Sequence, residues 1–193
     1  LEPGHFLVIE NRSLKIEKYW DVQQAEDQNI HKLPFKKQVE FYKERLYKTM
    51  ETAVHNRMIA DVPLGAFLSG GIDSSIVAAL MAEHSTSPVK TFSIGFKGAR
   101  LFDETSEARE TADFLKTDHH EFRLNSSDIL DVFPDILSTF DEPFSDSSAI
   151  PTYIVSRETK KHVTVALSGD GGDELFAGYR SYLSEYWYDK YML

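Results

Sequence analysis

With 193 residues, 41% of them hydrophobic, the chain is long enough for one domain with a substantial core, which argues against intrinsic disorder. Its 21 basic and 31 acidic residues give a net charge of −10, so nucleic acid is not expected as the main partner, and a bound phosphate would need a local cation. The absence of cysteine excludes disulfides and thiolate metal sites, and no apolar stretch approaches the roughly 20 residues of a membrane span.

The first 33 residues differ in character from the rest. The chain begins with Leu1-Glu2-Pro3-Gly4, without Met or a signal-peptide pattern, which predicts a piece of a longer, cytoplasmic protein. Two β-prone runs, Phe6–Ile9 and Leu14–Tyr19, predict a hairpin. Because an isolated hairpin is marginally stable, we interpret residues 1–21 as the remainder of a preceding domain and residues 22–33 as a linker.

A long helix is predicted after Pro34, followed by alternating strands and helices. The predicted strands are Leu64–Leu68, Val89–Phe96, His119–Leu124 and Val163–Leu167. Between them we expect a helix from about Ile76, one over Asp103–Leu115, one capped by Ser126 or Ser127 and interrupted at Pro134, and one capped by Ser147 or Ser148 that runs to about Lys161. This order predicts an α/β fold over residues 34–193, with a Rossmann-like parallel sheet and helices on both faces.

The first glycine-rich loop runs from Ser69 to Ser75 and follows a predicted strand. Gly70 and Gly71 allow close approach of a ligand to the backbone, and the start of the following helix offers free N–H groups, which together predict an anion site. No lysine precedes Ser74 or Ser75, so the loop is not the common nucleoside-triphosphate motif. Asp73 would repel phosphates unless a metal lies between them, and we favour magnesium binding over a helix cap for this residue.

The second glycine-rich loop, Ser168–Glu174, follows the last predicted strand and so lies at the same sheet edge, and a single last helix is predicted after it. Asp173 is predicted to share a magnesium ion with Asp73 from the opposite side of the crevice. Asp170 would then be available for acid–base chemistry. The spacing of the acidic residues does not fit an EF-hand calcium loop.

Several segments of the chain, in order, resemble the synthetase domain of glutamine-dependent asparagine synthetases, a member of the ATP pyrophosphatase superfamily with an adenine nucleotide alpha hydrolase-like fold. The segment from Ser69 to Ser75 is similar to the S-G-G-x-D-S-[ST] pyrophosphate loop of that superfamily. The other matching segments are Tyr19-Trp20-Asp21, Thr91–Phe96, Asp118–Glu121, Asp141-Glu142-Pro143, Ser168–Glu174 and Gly178-Tyr179.

The resemblance implies that ATP binds with its pyrophosphate in the first loop, including Ser69, Gly70, Gly71, Ser74 and Ser75. It also places the adenine and ribose against Leu68, Ile94, Ser168 and Gly169, and a magnesium ion on Asp73 and Asp173. The implied reaction activates aspartate as β-aspartyl-AMP, releases pyrophosphate and then transfers ammonia derived from glutamine. Many relatives carry Glu at the position of Asp170, where the residue is thought to deprotonate the nucleophile.

The resemblance leaves the acceptor and the surrounding domains open. Neither the glutaminase domain nor the family's C-terminal segment, with its catalytic lysine, lies within these 193 residues, so we expect the piece alone to bind nucleotide rather than to turn over. A related adenylating amidotransferase, a β-lactam-type synthetase and a non-catalytic nucleotide-binding module are the alternatives. A homodimer is kept as an open prediction.

Three further features have two interpretations each. For His119 and His120 we favour a structural role over a metal site, because adjacent residues of a strand face opposite ways. Asp141 and Glu142 could act in the site or order the loop before Pro143. The aromatic residues Tyr179, Tyr182, Tyr186 and Trp187 recur at helical spacing, and we favour packing against a missing segment over stacking of bases.

Overall fold

The computed structural model describes residues 1–22, 29–96, 98, 103–142 and 145–192, apart from the side chain of Ser126. The chain forms two compact units, Leu1–Tyr47 and Lys48–Leu193. The predicted domain boundaries at residues 21 and 33 stay a prediction. Part of the predicted linker, residues 23–28, lies outside the described residues.

The predicted hairpin is confirmed. Strands β1 (His5–Glu10) and β2 (Ser13–Lys18) pair antiparallel, with Leu7 opposite Ile16. The two turn residues, Asn11 and Arg12, have φ angles of 49° and 65°. Two consecutive left-handed residues form the tight turn whose twist matches that of the flanking strands.

A 3₁₀ helix over Ile30–Lys32 and helix α1 (Phe35–Arg57) follow the hairpin. The start of α1 directly after Pro34 confirms the predicted helix, since a proline is tolerated ahead of the first turn. Of the apolar residues of α1, Val54 is buried, whereas Tyr42 and Leu46 are exposed.

The second unit contains a four-stranded parallel sheet, which confirms the predicted α/β class. Its strands are β3 (Leu64–Phe67), β4 (Lys90–Phe96), β5 (Asp118–Leu124) and β6 (Val165–Leu167), in the spatial order β5-β4-β3-β6. The helices of this unit are α2 (Ile72–His84), α3 (Thr105–Leu115), α4 (Ser126–Thr139), α5 (Ala149–Thr159), α6 (Gly172–Phe176) and α7 (Arg180–Met192).

Helices cover both faces of the sheet, as predicted. On one face, Ala66 of β3 packs in a cluster with Val77 and Met81 of α2. On the other face, Phe67 and the fully buried Phe92 pack with Val155 of α5. Successive residues of a strand point to opposite faces, so an uninterrupted apolar run is what a doubly covered strand requires.

The structure corrects three details of the predicted helices. Helix α4 begins at Ser126, with Asn125 as its cap: the Asn125 N–H donates to the Asp128 carboxylate at 2.7 Å, in a capping box. The predicted caps Ser126 and Ser127 were therefore wrong. The predicted interruption at Pro134 was also wrong, since α4 continues to Thr139. Pro134 lies on the exposed side of the helix, where water can satisfy the carbonyl that loses its donor.

The third correction concerns the end of the chain, where two helices replace the single predicted one. Ala177 ends α6 in the left-handed conformation, with a φ of 55°. The N–H of Gly178 donates to the Asp173 carbonyl at 3.0 Å, which closes the turn before α7. Across the ranges that the structure describes, no helix is both long and apolar enough to cross a membrane.

Candidate functional site

The two glycine-rich loops leave the carboxyl ends of β3 and β6, which are neighbours in the sheet. Ligands of open parallel sheets bind beyond this edge, so the topology brings both predicted loops to one site. Between them lies a cleft of about 610 Å³, lined by Ser69, Asp73, Ser168, Asp170 and Asp173 among others.

Hydroxyl groups hold the first loop in shape. The Ser69 and Ser74 Oγ atoms are 3.0 Å apart, and Ser69 Oγ accepts from the Gly71 N–H at 3.2 Å. Ser75 Oγ donates to the Gly71 carbonyl at 2.7 Å. Ser74 is only 7% exposed, so its hydroxyl organises the loop from within.

The backbone of the loop provides the anion site. Helix α2 begins at Ile72, and its first amide bonded within the helix is that of Ser75, which donates to the Gly71 carbonyl at 3.1 Å. The N–H groups of Ile72, Asp73 and Ser74 precede it, and the first amides of a helix have no acceptor inside it. They carry the positive end of the helix dipole, which attracts anions.

Gly70 gives the loop its path. Its φ of +85° is a conformation that side chains with a Cβ rarely adopt, and a Cβ here would lie 2.6 Å from Glu107 Cβ and 2.7 Å from the Ala108 nitrogen. The loop therefore passes directly against the first turn of α3. No other residue type fits this position without moving the helix.

The second loop lies against the start of α2. A Cβ on Gly169 would be 2.7 Å from the Ser74 nitrogen, and one on Gly172 would be 2.9 Å from Asp73 Oδ1. Gly172, which directly precedes Asp173 in the sequence, thus leaves room for the Asp73 carboxylate. The structure brings the two predicted magnesium ligands into one cleft from opposite loops.

The donor set fits a magnesium ion shared with a phosphate. Asp73 and Asp173 are both half-buried, and within the described ranges neither carboxylate has a hydrogen bond or an ion pair. No group of three or more His, Cys, Asp or Glu that could hold a metal occurs in the described part of the chain. Magnesium commonly binds one or two protein carboxylates together with phosphate oxygens, so two aspartates suffice.

A second cavity, of about 450 Å³, adjoins the cleft. It is mostly apolar and lies between β3, β4 and α5; its lining includes Leu68, Phe92, Ile94, Pro151 and Val155. The residues predicted for adenine and ribose are therefore divided: Leu68 and Ile94 line this cavity, whereas Ser168 and Gly169 line the cleft. A ligand with a flat apolar ring in the cavity and a charged tail in the cleft would fit this pair of spaces.

Comparison with known families agrees with this arrangement. The family model described as "Asparagine synthase" matches residues 45–192. The chain belongs to the asparagine synthase family.

Two curated relatives in the family show how much of a longer protein the chain represents. It is 42% identical to putative asparagine synthetase 2, named glutamine-hydrolysing, of Methanocaldococcus jannaschii, over 96% of this chain and 35% of that protein. It is 43% identical to glutamine-hydrolysing asparagine synthetase 1 of Bacillus subtilis, over 76% of this chain and 23% of that protein. The chain thus spans about a third or less of the length of these relatives.

Among solved structures, the chain resembles an NH3-dependent NAD synthetase from Campylobacter jejuni with a TM-score of 0.47 and 15% sequence identity. The likeness covers 70% of this chain and 60% of that one.

Asp170, the predicted base in this asparagine synthase homologue, is exposed at the junction of the two cavities and lines both. Ser168 Oγ donates to Asp170 Oδ2 at 2.9 Å and accepts from the Asp170 N–H at 3.4 Å. Ser168 thus orients the carboxylate, while one of its two oxygens remains available to a ligand.

Glu104 and Phe67 line both cavities together with Ser69 and Asp170, and neither was predicted as a site residue from the sequence. Glu104 precedes α3 and lies within the helix predicted over Asp103–Leu115. Phe67 was treated as part of a buried strand. Phe67 is the last residue of β3 and Glu104 directly precedes α3, so both lie at the carboxyl edge of the sheet, which is the signal that could have found them.

His119 has the structural role that we favoured. Its Nδ1 lies 2.9 Å from Thr91 Oγ1, and its Nε2 lies 3.2 Å from Ser93 Oγ. Burial, together with the charge of Arg109, lowers the pKa of His119 below 6.5. His120 faces the other way and stacks on Phe92 at 5.3 Å between ring centroids. Neither histidine belongs to the cleft.

Two other predicted features lie away from the cleft. Asp141 and Glu142 line a separate cavity of about 580 Å³ between α4 and α5, and Pro143 lies outside the described residues. Tyr179 donates to Glu174 at 2.7 Å, which raises the Tyr179 pKa to about 12, through that hydrogen bond first and burial second. Tyr182, Tyr186 and Trp187 are exposed on α7.

Proposed function

We propose that this chain is the ATP-binding part of an enzyme that forms asparagine from aspartate, ATP and glutamine-derived ammonia. Enzymes of the family use ATP, and the homologues named above are asparagine synthetases. The observation that carries the proposal is the meeting in one cleft of the first amides of α2 with the carboxylates of Asp73 and Asp173, which have no partner among the described residues.

The pyrophosphate of ATP would accept hydrogen bonds from the first amides of α2. The loop holds no lysine, and Gly70 allows its backbone to lie close to the phosphates. Asp73 and Asp173 would hold the magnesium ion, which neutralises phosphate charge when it is bound. The base would enter the apolar cavity at Leu68 and Ile94. This orientation places the α-phosphorus toward Asp170, at the junction of the two cavities.

The proposed reaction has two displacements. A side-chain oxygen of aspartate attacks the α-phosphorus, and the bond to the pyrophosphate oxygen breaks, which yields β-aspartyl-AMP and pyrophosphate. The nitrogen of ammonia then attacks the activated carbonyl, and AMP leaves with its oxygen. Asp170 would take the proton that the nitrogen loses, through the oxygen that Ser168 leaves free. A loop that binds pyrophosphate as the leaving group does not need the lysine that enzymes of γ-phosphate transfer use.

The same proposal includes two further parts of the protein, a glutaminase domain that supplies ammonia and a C-terminal segment that completes the acceptor site. It also includes a cytoplasmic location. A different carboxylate acceptor is the second candidate. It is favoured by Asp170, which is one methylene shorter than the Glu implied by the resemblance and leaves more room for an acceptor.

The experiment is an assay of ATP conversion in the longest natural chain that carries this sequence. With Mg²⁺, aspartate and ammonia, we expect AMP, pyrophosphate and asparagine in equal amounts. Asp73→Asn and Asp173→Asn should each lower the rate at least about a hundredfold, because each removes charge that faces the phosphates. The exposed Asp61→Asn serves as the matched control and should keep the rate.

The assay also decides between the candidates. Pyrophosphate release with another carboxylic acid and none with aspartate would replace asparagine synthesis by the second candidate. Normal turnover in Asp73→Asn or Asp173→Asn would contradict the shared metal site. A chain that binds ATP but releases no pyrophosphate with any acid would be a non-catalytic binding module.

A further inference from the structure

Four residues border the neck between the cleft and the apolar cavity: Phe67, Ser69, Glu104 and Asp170. The cleft on one side is lined by Asp73, Asp173 and the start of α2, whereas the lining of the cavity on the other side includes Leu68, Phe92 and Val155. A nucleotide has the same division, with charged phosphates at one end and a flat base at the other. The sugar joins the two parts, so the neck is where a ribose would lie.

The packing of α3 brings Glu104 to the neck. The first turn of this helix lies against Gly70, so the residue just before the helix is held beside the first loop. Asp103 fixes the backbone on the other side of Glu104: it accepts from Thr105 Oγ1 at 2.6 Å and from the Thr105 N–H at 3.2 Å. The position of Glu104 is therefore set by structure rather than by a ligand.

The Glu104 carboxylate is free to bind a ligand. In the ranges that the structure describes it has no hydrogen bond and no ion pair, and the side chain is exposed. Asp170, the other carboxylate at the neck, accepts from Ser168 through one oxygen, and the proposed reaction uses the other oxygen as a base. An ionised carboxylate can only accept hydrogen bonds, so phosphate oxygens offer it nothing, whereas the two hydroxyls of a ribose offer it two donors.

We propose that Glu104 accepts hydrogen bonds from the ribose hydroxyls of the bound nucleotide and thereby selects ribonucleotides over deoxyribonucleotides. The inference rests on the proposed function, because it takes the ligand to be a nucleotide that spans both cavities. Hydrogen bonds from a hydroxyl to a charged oxygen are among the stronger ones. A bound nucleotide that covers Glu104 but lacks the hydroxyl takes water from the carboxylate without replacing it by a donor, which is what gives such sites their selectivity.

The test compares the dissociation constants of ATP, 2′-deoxy-ATP and 3′-deoxy-ATP by titration calorimetry in the presence of Mg²⁺. The protein is compared with Glu104→Ala, with the isosteric Glu104→Gln, and with the control Glu110→Ala, an exposed residue of α3 outside both cavities. We expect the unaltered protein to bind ATP about tenfold more tightly than at least one deoxynucleotide.

Glu104→Ala should reduce this ratio to about twofold or less, because the affinity for ATP falls while the affinity for the deoxynucleotide stays unchanged. For Glu104→Gln, the ratio of the two dissociation constants should lie between that of the unaltered protein and that of Glu104→Ala. Glu110→Ala should keep the ratio of the unaltered protein. A ratio that survives in Glu104→Ala, or an equal loss for ATP and deoxy-ATP, would overturn the inference. An unaltered protein that binds ATP and deoxy-ATP equally would overturn it too. If the unaltered protein bound no nucleotide at all, the proposed function itself would fail.

Discussion

His119 shows how a residue in a family-like motif can serve the fold. Both ring nitrogens face hydroxyls of β4, those of Thr91 and Ser93, which are themselves buried. A neutral imidazole has one donor and one acceptor, and hydroxyls can match either tautomer. The sequence could predict that His119 and His120 face opposite ways, but the identity of their partners depends on the register between β4 and β5.

The lowered pKa of His119 predicts an acid-sensitive stability. In the unfolded chain an ordinary histidine gains a proton near pH 6.5, whereas burial keeps the folded His119 neutral. The stabilising contribution is thus present above pH 6.5 and is lost as the pH falls through the lower folded pKa. The melting temperature of His119→Gln should fall less between pH 7.5 and 5 than that of the unaltered protein. The exposed His31→Gln is the control, and an unchanged slope in His119→Gln would contradict this role.

At the scale of elements, the first loop and α3 depend on each other through Gly70. The sequence could predict the tandem glycines as a feature of an anion site, because strand, glycine loop and helix follow in order. It could not predict that α3 packs onto the loop, since this contact joins segments more than 30 residues apart in the chain. For the same reason Glu104 was missed. The predicted cap of α4 was wrong because Asn125, Ser126 and Ser127 are all residue types that cap helices, and only the backbone conformation selects Asn125.

Gly70→Ala should damage both the fold and the site. A left-handed alanine costs about 1–2 kcal/mol, and the contact with α3 should add about 1–3 kcal/mol of overpacking. Gly98→Ala is a matched control, because Gly98 has nearly the same φ, +86°, and no atom of the described residues lies within 4 Å of the added Cβ. Urea unfolding should show the larger loss of free energy for Gly70→Ala. Equal losses for the two variants would show that the contact with α3 has no energetic weight.

At the scale of the whole molecule, the sheet order β5-β4-β3-β6 determines which loops can meet. The alternation of strands and helices was enough to predict a parallel sheet, and the rule for carboxyl edges was enough to bring both glycine-rich loops together. The division of the site into a cleft that holds the acidic loop residues and a cavity lined by Phe92 and Val155 was not predictable, because it arises where α5 packs over Phe92. Asp73 and Asp173 were paired because both loops follow strands at this edge, whereas the role of Gly172, which leaves room for the Asp73 carboxylate, was not predicted.

The most direct test of the two-loop site is the melting temperature of the protein with and without Mg²⁺-ATP. A ligand at about 100 times its dissociation constant stabilises the folded state by about 2.7 kcal/mol, which for a chain of this size raises the melting temperature by about 5–10 °C. We predict this rise for the unaltered protein, a smaller one with ATP and EDTA, and little or none for Asp73→Asn or Asp173→Asn. An unchanged melting temperature with saturating Mg²⁺-ATP, or an equal rise in the two aspartate variants, would contradict the account.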